Sequence, residues 1–290
     1  MRVLFLFISF PKPSEGENLY TDLVEEFHRH GHEVYVATLE ESAMYRSTHL
    51  ETERGFSVLR IVAGRMSNVS YIRKAITTIN IPRRFTASIK NNLNKINFDL
   101  VVYSTPPITL VPAIKHIVKK DNAKTYLILR DILPRGAWDL EMIRNTLVYK
   151  YFRKKEQQLY DISDRIGCMS QGNIDYILKH NKVPKEKLEI LYNWKKPSNL
   201  PPIDKEKIKK SYGLEGKFVA FFGGNIGYAQ ELEFLIELAD CYKTRDDIVF
   251  LIAGKGVMKP KIENLVREKR LQNVRFIDYL PRDEYEKLLR

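Results

Sequence analysis

Short apolar runs alternate along the chain with segments in which apolar residues recur at helical spacing. The run Val3–Phe10 is followed, after a loop with proline, serine and glycine, by Leu19, Leu23 and Phe27. Gly31 stands where this helix is expected to end, since glycine readily adopts the conformation that follows a helix C-terminus. Such alternation is typical of βαβ units and parallel sheets. We predict strands in this part of the chain at Val3–Phe10, Glu33–Thr38, Ser57–Val62, Leu100–Ser104, Thr125–Arg130, Arg165–Met169 and Leu188–Tyr192.

The same alternation restarts in the last quarter of the chain. The segment Lys195–Gly216 is rich in proline and lysine and is predicted to be a linker with a short helix. The fold class is therefore α/β, with two Rossmann-like domains at 1–195 and 217–290 and a linker at 196–216. The second domain holds three strand–helix units and is expected to be incomplete. Its predicted strands are Phe218–Phe222, Ile248–Ala253 and Val274–Ile277, and its predicted helices lie near Gln230–Lys243, Lys261–Lys269 and Glu284–Arg290.

The net charge of +12 and the pI of about 9.4 favour an acidic partner. The positive charge is concentrated between Glu53 and Asp99, where no acidic residue occurs. A solvated helical face is one interpretation. The other is a surface that binds an anionic membrane, because apolar residues such as Ile81 and Phe85 are interleaved with the charges. Nucleic acid is not expected, since no RNP, KH, zinc-finger or helix-turn-helix pattern is present. The residues that we assign to acceptor or membrane contact are Arg73, Lys74, Arg83 and Arg84.

The predicted location is the cytoplasm, peripheral at the inner face of the cell membrane. No apolar run approaches the ~20 residues of a membrane span. The run Val3–Phe10 has no small-residue cleavage site and leads directly into Pro11, so we interpret it as a buried strand rather than a signal peptide. Cys168 and Cys241 fall within apolar patterns and are predicted to be buried free thiols, which suits a reducing compartment.

A glycine-rich turn, Gly223–Gly227, joins a predicted buried strand to a helix. Glycines there would let backbone N–H groups approach a diphosphate, whose charge the helix N-terminus favours. The alternative is a plain tight turn. The turn matches neither a Walker A loop nor G-x-G-x-x-G. Gly254–Gly256 has the same setting, and its Lys255 is either a phosphate ligand or a solvated lysine. The donor-contact candidates in these two loops are Gly224, Asn225, Gly227 and Lys255.

Two further candidates follow predicted strands of the first domain. In open α/β sheets, ligands bind outside the carboxyl ends of the strands. Gly16 lies in the first strand–helix loop, where it either allows close approach to a phosphate or serves a simple turn. Asp131 follows Thr125–Arg130. It either accepts a proton or orients the hydroxyl group of an acceptor, or it caps a helix. We expect the two glycine-lined sheet edges to face one another across a cleft.

Metal and cofactor chemistry is not indicated by the sequence. There is no C-x-x-C, no H-E-x-x-H and no set of histidines with ligand spacing. Asp-x-Asp, the usual metal handle of single-domain sugar transferases, is also absent. We therefore expect a metal-independent reaction without a cofactor, in which backbone amides and basic side chains would stabilise the charge of a phosphate group.

These motifs resemble, in order, those of the family 4 glycosyltransferases, which have the two-domain GT-B architecture. The resemblance covers nearly the whole chain and is greatest to a branch that adds sugars, often N-acetylated amino sugars such as N-acetylfucosamine, to lipid-linked precursors of bacterial surface polysaccharides. The segments that carry it are FPKPSEGENLYTDLVEEFHRHGHEVYVAT, STPPITLVPA, RDILPRGAWDLE, MSQGNIDYI, YNW, FFGGNIGYAQELEFLIELA and IAGKG with VRFIDYLPRDEYEKLL.

The resemblance implies roles for several residues. Gly16 and the Gly224–Gly227 loop would bracket the donor diphosphate, and Asp131 would lie near the acceptor. Relatives often carry a histidine or a His-Asp pair there, whereas this chain has Arg130 and Asp131. Relatives also place an arginine and a lysine after the second-domain glycine, where this chain has Asn225 and Gln230. Lys255 or Arg282 is expected to supply that positive charge.

The resemblance implies a retaining transferase that moves a sugar from a UDP-sugar to an undecaprenyl-diphosphate-linked saccharide in capsule or O-antigen synthesis. The family's Glu-x7-Glu segment is not reached before Arg290, so the chain as given is expected to be inactive through truncation. Two alternatives stay open: a non-catalytic GT-B-like partner subunit, and a GT-B epimerase that acts on UDP-N-acetyl sugars.

Overall fold

The computed structural model describes residues 1–40, 47–63, 71–197, 201–278 and 280–290, with side chains for all of these except 71–79. The chain divides into two compact units. Unit 1 is Met1–Lys196 and unit 2 is Pro197–Arg290. Each is built around its own mainly parallel sheet, and each is described by itself below.

Unit 1 is a sheet covered by helices on both faces. Over its described residues, the strand order is β3-β4-β2-β1-β5-β6-β7-β8, and every neighbouring pair is parallel except β3 with β4. The strands are β1 (Arg2–Leu6), β2 (Glu33–Leu39), β3 (His49–Glu53), β4 (Phe56–Ile61), β5 (Leu100–Ser104), β6 (Lys124–Leu129), β7 (Arg165–Cys168) and β8 (Leu188–Ile190). The helices are α1 (Leu19–Arg29), α2 (Tyr71–Leu93), α3 (Val111–Asp121), α4 (Arg135–Asp139), α5 (Thr146–Ile162) and α6 (Gln171–His180).

The continuous apolar character of β1 reflects burial on both faces. Val3 and Phe5 pack on the side of α1, while Leu4 and Leu6 pack on the side of α2, α3 and α5. Parallel strands covered on both faces read as unbroken apolar runs, because neither side of the strand meets water. The predicted strand Val3–Phe10 is longer than β1, since Phe10 is buried in the core beyond the end of the strand.

Unit 2 has, over its described residues, a parallel sheet of order β11-β10-β9. Its strands are β9 (Phe218–Gly223), β10 (Ile248–Ala253) and β11 (Val274–Ile277). Its helices are α7 (Lys205–Ser211), α8 (Leu232–Cys241), α9 (Lys259–Glu268) and α10 (Arg282–Leu288). A small core forms where α8 and α9 pack on β10 around Ile236, Ile252 and Ile262.

One cysteine prediction is wrong. Cys168 ends β7 and is fully buried, as expected, and burial raises the pKa of its thiol to about 11. Cys241 is also free but exposed at the end of α8, because the inward positions of that helix are Leu232, Ile236 and Ala239.

Candidate functional site

The parallel register of unit 1 aligns the carboxyl ends of its central strands. Leu6 of β1 pairs with Tyr103 of β5, and Ser104 pairs with Ile128 of β6. The loop that contains Gly16 and the segment that begins at Arg130 therefore leave the sheet at the same edge. This is the edge at which open α/β sheets bind ligands.

Gly16 has a backbone conformation that favours glycine, with φ of +105°. Its carbonyl accepts a hydrogen bond of 2.9 Å from Nη2 of Arg54. Arg54 and Gly55 form the two-residue turn between β3 and β4, and both have positive φ, as such hairpin turns require. A hairpin that the sequence analysis missed thus braces the Gly16 loop from outside. The Arg-Gly dipeptide between two short strands was the available signal.

Arg60 of β4 holds the beginning of the same loop. Its guanidinium is 3% exposed, donates to the carbonyl of Phe10 at 2.6 Å and makes a bidentate pair with Glu53 at 2.7 Å. Burial raises the pKa of Glu53, and the Arg60 charge opposes that rise. Charge and geometry together fix the chain as it leaves β1.

Asp131 is exposed and does not cap a helix. Helix α4 begins at Arg135 after Pro134, which provides no side-chain cap. The Asp131 amide donates to Oγ1 of the buried Thr105 at 3.2 Å. Within the described ranges, its carboxylate has no hydrogen-bond or ion-pair partner. A carboxylate left free in this way is available to a ligand or a proton.

Arg130 precedes Asp131 and lies over an aromatic ring of α1. Its Cζ is 5.6 Å from the ring centroid of Tyr20, whose ring in turn stacks on Phe7 at 4.2 Å. The Arg130 amide donates to Thr105 Oγ1 at 3.0 Å. Thr105, 1% exposed, therefore fixes the backbone of both Arg130 and Asp131.

The three strands of unit 2 also end together. Gly223 of β9 pairs with Ala253 of β10, and Ala253 pairs with Ile277 of β11. The loops Gly224–Gly227 and Gly254–Gly256 consequently lie side by side at one carboxyl edge. The sequence analysis gave both loops the same setting, after a strand of this sheet, and their role in binding phosphate stays a prediction.

Close contact between these two loops explains two of the glycines. A Cβ on Gly254 would lie 1.9 Å from the Gly224 carbonyl oxygen, and one on Gly256 would lie 2.1 Å from that of Ile226. Gly224 differs, because the nearest atom to its Cβ position is a ring carbon of Phe222 at 3.8 Å. The two loops can therefore meet only because residues 254 and 256 have no side chain. Gly224, by contrast, has room for a Cβ on its outer side.

Several loop amides are already used internally. The Gly224 N–H donates to Ala253 O and the Ile226 N–H to Lys255 O, both at 2.9 Å. The Gly227 N–H donates to Oε1 of Gln230 at 3.1 Å. The interpretation of this loop as a set of free amides is therefore too simple for these three residues, whose N–H groups hold the loop in shape.

The side chains at this edge differ in their availability. Gly224, Asn225 and Lys255 are exposed, and in the part of unit 2 that the structure describes Lys255 has no ion-pair partner. Arg282 instead pairs with Glu286 at 3.3 Å. Of the two predicted sources of positive charge, Lys255 is the unengaged one.

The basic stretch of α2 separates into an inner and an outer face. Arg83 and Arg84 are exposed, as predicted. Ile81 and Phe85, by contrast, are at most 1% exposed and pack in the core of unit 1, so the expectation that they form an exposed apolar side is wrong. The side chains of Arg73 and Lys74 lie outside the described residues.

The described ranges lack two features that would bear on function. No helix there is long and apolar enough to cross a membrane. No cluster of three or more histidine, cysteine, aspartate or glutamate side chains there is arranged to hold a metal ion.

Solved structures of GT-B glycosyltransferases share this fold. Sucrose-phosphate synthase from Thermosynechococcus elongatus matches 99% of this chain and 72% of its own, with a TM-score of 0.74 and 14% identity. HepE from Anabaena, solved in complex with UDP and glucose, matches all of this chain and 71% of its own, with a TM-score of 0.64 and 14% identity. At such identities the likeness concerns the fold, and it confirms the predicted class: two Rossmann-like domains of GT-B type.

The family follows from the sequence. The profile of Glycosyltransferase Family 4 matches residues 16–194, and that of Glycosyl transferases group 1 matches residues 204–290. The chain belongs to glycosyltransferase family 4, which confirms the resemblance drawn from its motifs.

Two curated relatives extend this result. The putative colanic acid biosynthesis glycosyl transferase WcaI of Escherichia coli is 25% identical over 205 residues, which is 66% of this chain and 48% of that protein. The N-acetylgalactosamine-N,N'-diacetylbacillosaminyl-diphospho-undecaprenol 4-alpha-N-acetylgalactosaminyltransferase of Campylobacter jejuni is 26% identical over 149 residues, 51% of this chain and 38% of that protein. The chain spans about half or less of the length of these relatives.

Proposed function

We propose that the protein transfers a sugar, an N-acetylated amino sugar, from a UDP-sugar to an undecaprenyl-diphosphate-linked saccharide during synthesis of a bacterial surface polysaccharide. The observation that carries this proposal is the pair of glycine loops at the carboxyl edge of unit 2, within a chain of glycosyltransferase family 4. The UDP complex of HepE supports the donor, and the name of the Campylobacter jejuni relative supports the lipid-linked acceptor.

In this proposal the donor diphosphate lies against Gly224, Asn225 and Lys255. Gly224 has an open outer side, so that a phosphate can approach the loop there, while the Gly224 N–H itself stays bonded to Ala253 O. Lys255 supplies positive charge to the departing nucleoside diphosphate, and no metal ion is required. Gly16 would serve phosphate approach in unit 1.

Asp131 is proposed to act on the acceptor. Its exposed carboxylate can accept a proton from a hydroxyl or orient that hydroxyl by a hydrogen bond. The proposed outcome at the transferred sugar is retention, which is taken from the family's branch.

Replacing Gly224 by alanine tests the donor site. We expect Gly224→Ala to leave stability unchanged, because its Cβ meets no atom closer than 3.8 Å. UDP affinity should fall about 10-fold or more, since the methyl group occupies the space through which the phosphate approaches, and each tenfold corresponds to ~1.4 kcal/mol. Isothermal titration with UDP measures the change.

Gly254→Ala is the matched control. Its Cβ would meet the Gly224 carbonyl at 1.9 Å, so this variant should lose stability by about 1–3 kcal/mol through overpacking. Normal UDP binding by a stable Gly224→Ala would remove the donor assignment. Absence of UDP binding by the wild-type protein would favour the non-catalytic partner subunit.

We also propose peripheral attachment to the inner face of the cell membrane through α2 and α5. Arg83 and Tyr151 line one groove of about 240 Å³, and Tyr151 is 54% exposed. Leu147, one turn earlier in α5, is 76% exposed. Exposed apolar side chains beside exposed arginines form a surface suited to anionic headgroups.

Charge reversal tests this attachment. Arg83→Glu/Arg84→Glu should weaken binding to vesicles of phosphatidylglycerol and phosphatidylcholine by at least about 30-fold, since each basic residue near such a surface contributes ~1 kcal/mol. Vesicle co-sedimentation at low and high salt measures this. The control is Lys243→Glu/Arg245→Glu, which makes the same change of charge on exposed positions of unit 2. Equal binding by both double variants would contradict the proposal.

A further inference from the structure

The guanidinium of Arg130 has almost no partner within the protein. Its Nε is buried without a hydrogen bond, and Nη1 makes only a long contact of 3.4 Å with the hydroxyl of Tyr20. Across the ranges that the structure describes, no carboxylate pairs with it. Asp131 is next in the chain, but its carboxylate makes no ion pair with Arg130.

This lack of a partner is unusual for a half-buried cation. An arginine presents five N–H donors in a rigid plane, and burial without an acceptor costs free energy. Other inward-facing arginines of unit 1 are paired, as Arg60 is with Glu53 and Arg153 with Glu156. Arg130 therefore carries unused donors that a bound anion would satisfy.

The surroundings hold Arg130 in one place. The ring of Tyr20 lies under the guanidinium, and Phe7 lies under Tyr20. Thr105 fixes the backbone through the Arg130 amide. Stacking on an aromatic face leaves the edges of the guanidinium free, and those edges match the geometry of phosphate oxygens.

The position of Arg130 also suits a ligand. It follows β6 directly, at the carboxyl edge of the sheet, and precedes the free carboxylate of Asp131. An anion on Arg130 would be placed beside a group that can handle a proton. In unit 2, by contrast, Lys255 lies at the edge proposed for the donor.

We propose that Arg130, stacked on Tyr20, is a phosphate-binding subsite of unit 1 that holds the diphosphate of the acceptor. The phosphate chemistry follows from the unpartnered guanidinium, while the choice of the acceptor rests on the proposed function. Arg130 binds the substrate, and Tyr20 is a positioning residue that acts through Arg130.

The test compares binding of three probes, namely inorganic pyrophosphate, farnesyl diphosphate and UDP, by isothermal titration. Arg130→Met should weaken farnesyl diphosphate and pyrophosphate by about 10- to 100-fold, the range of a lost charge-assisted bidentate contact. Arg130→Lys should give an intermediate loss, because it keeps the charge but not the planar fork. Tyr20→Phe keeps the ring and should stay within about 3-fold of wild type, whereas Tyr20→Leu should resemble Arg130→Lys.

The control is Arg135→Met, which removes an exposed arginine that already pairs with Asp139 and should leave all three affinities unchanged. If Arg130→Met does not fold, Arg130→Lys decides the question. Wild-type affinity for every probe in a folded Arg130 variant overturns the subsite.

Two outcomes separate the subsite from the proposed function. If the Arg130 variants lose UDP binding but keep binding to the other two probes, the acceptor assignment is overturned, and Arg130 binds the diphosphate of the donor instead. A wild-type protein that binds farnesyl diphosphate through Arg130 but does not bind UDP would support the subsite while removing the proposed donor.

Discussion

Arg60→Met is expected to lower the free energy of unfolding by about 3–5 kcal/mol, the range for breaking a buried ion pair from one side. The substitution leaves the carboxylate of Glu53, 8% exposed, without its bidentate partner. It also leaves the Phe10 carbonyl without a donor. Urea denaturation followed by circular dichroism measures the loss.

The pH dependence of this variant has a definite sign. Burial raises the pKa of Glu53, and without Arg60 nothing at this site opposes the rise. A raised folded-state pKa means that the folded protein binds this proton more tightly than the unfolded chain does. The deficit should be smallest below the unfolded-state pKa and should grow as the pH rises through the folded-state pKa.

Two further variants serve as controls. Arg60→Met/Glu53→Gln removes the stranded charge and should recover most of the loss. Arg29→Met breaks an exposed pair with Glu26 and should change little, since solvent screens that pair. A single-variant loss below about 1 kcal/mol, or one that the double variant does not reduce, would be inconsistent with this account.

Asp131→Asn is expected to reduce kcat by about 10²- to 10⁴-fold, the usual contribution of a positioned acid or base. The asparagine side chain cannot take a proton, but it has the same size as that of aspartate. The backbone N–H of residue 131 keeps its hydrogen bond to Thr105 Oγ1. UDP affinity should not change, because Asp131 is not among the proposed donor contacts. Sugar transfer by the full-length protein, measured at saturating donor, gives the comparison.

Asp139→Asn is the matched control for this experiment. Asp139 is an exposed carboxylate of α4 that pairs with Arg135 at 2.7 Å. Its replacement should leave kcat unchanged. If Asp131→Asn retains kcat within a factor of about ten, Asp131 is not the acid or base.

Two of the strands that the sequence predicted best are buried on both faces. Leu100–Ser104 and Ile248–Ala253 agree with the structure residue for residue. Val274–Ile277 also agrees, although it is a partly exposed edge strand that contains Arg275. In the two buried strands an unbroken apolar run has one explanation, because both faces pack against helices. His49–Glu53 was missed for the opposite reason: it is polar, short and at the edge of the sheet.

Apolar residues in a helix show that a face is buried, but not what covers it. Ile81 and Phe85 have the spacing of a membrane-facing stripe, yet they pack in the core of unit 1. Core and lipid attract the same side chains, so that periodicity could not separate the two. The exposed apolar positions Leu147 and Tyr151 lie instead on α5, which the sequence analysis did not predict.

The sequence proposed a candidate site from its glycines and its strand ends, and it could not show the contacts that support those residues. The sequence placed Gly224 and Gly254 after predicted strands. The 1.9 Å approach that requires glycine at 254 depends on how the two loops meet, which the sequence does not show. Arg130 was visible only as a departure from the relatives' histidine. That its guanidinium lacks an ion-pair partner can be seen only in the structure.

The bracing of Gly16 by Arg54 bears on how this protein could be redesigned. The shape of the first loop is imposed by a hairpin some forty residues further along the chain. A graft of this loop from a relative should therefore carry β3 and β4 with it, since a loop moved alone would lose the clamp that shapes it. In such chimaeras, the Gly16 loop and the β3–β4 hairpin would have to be transferred together for a binding preference to be transferred.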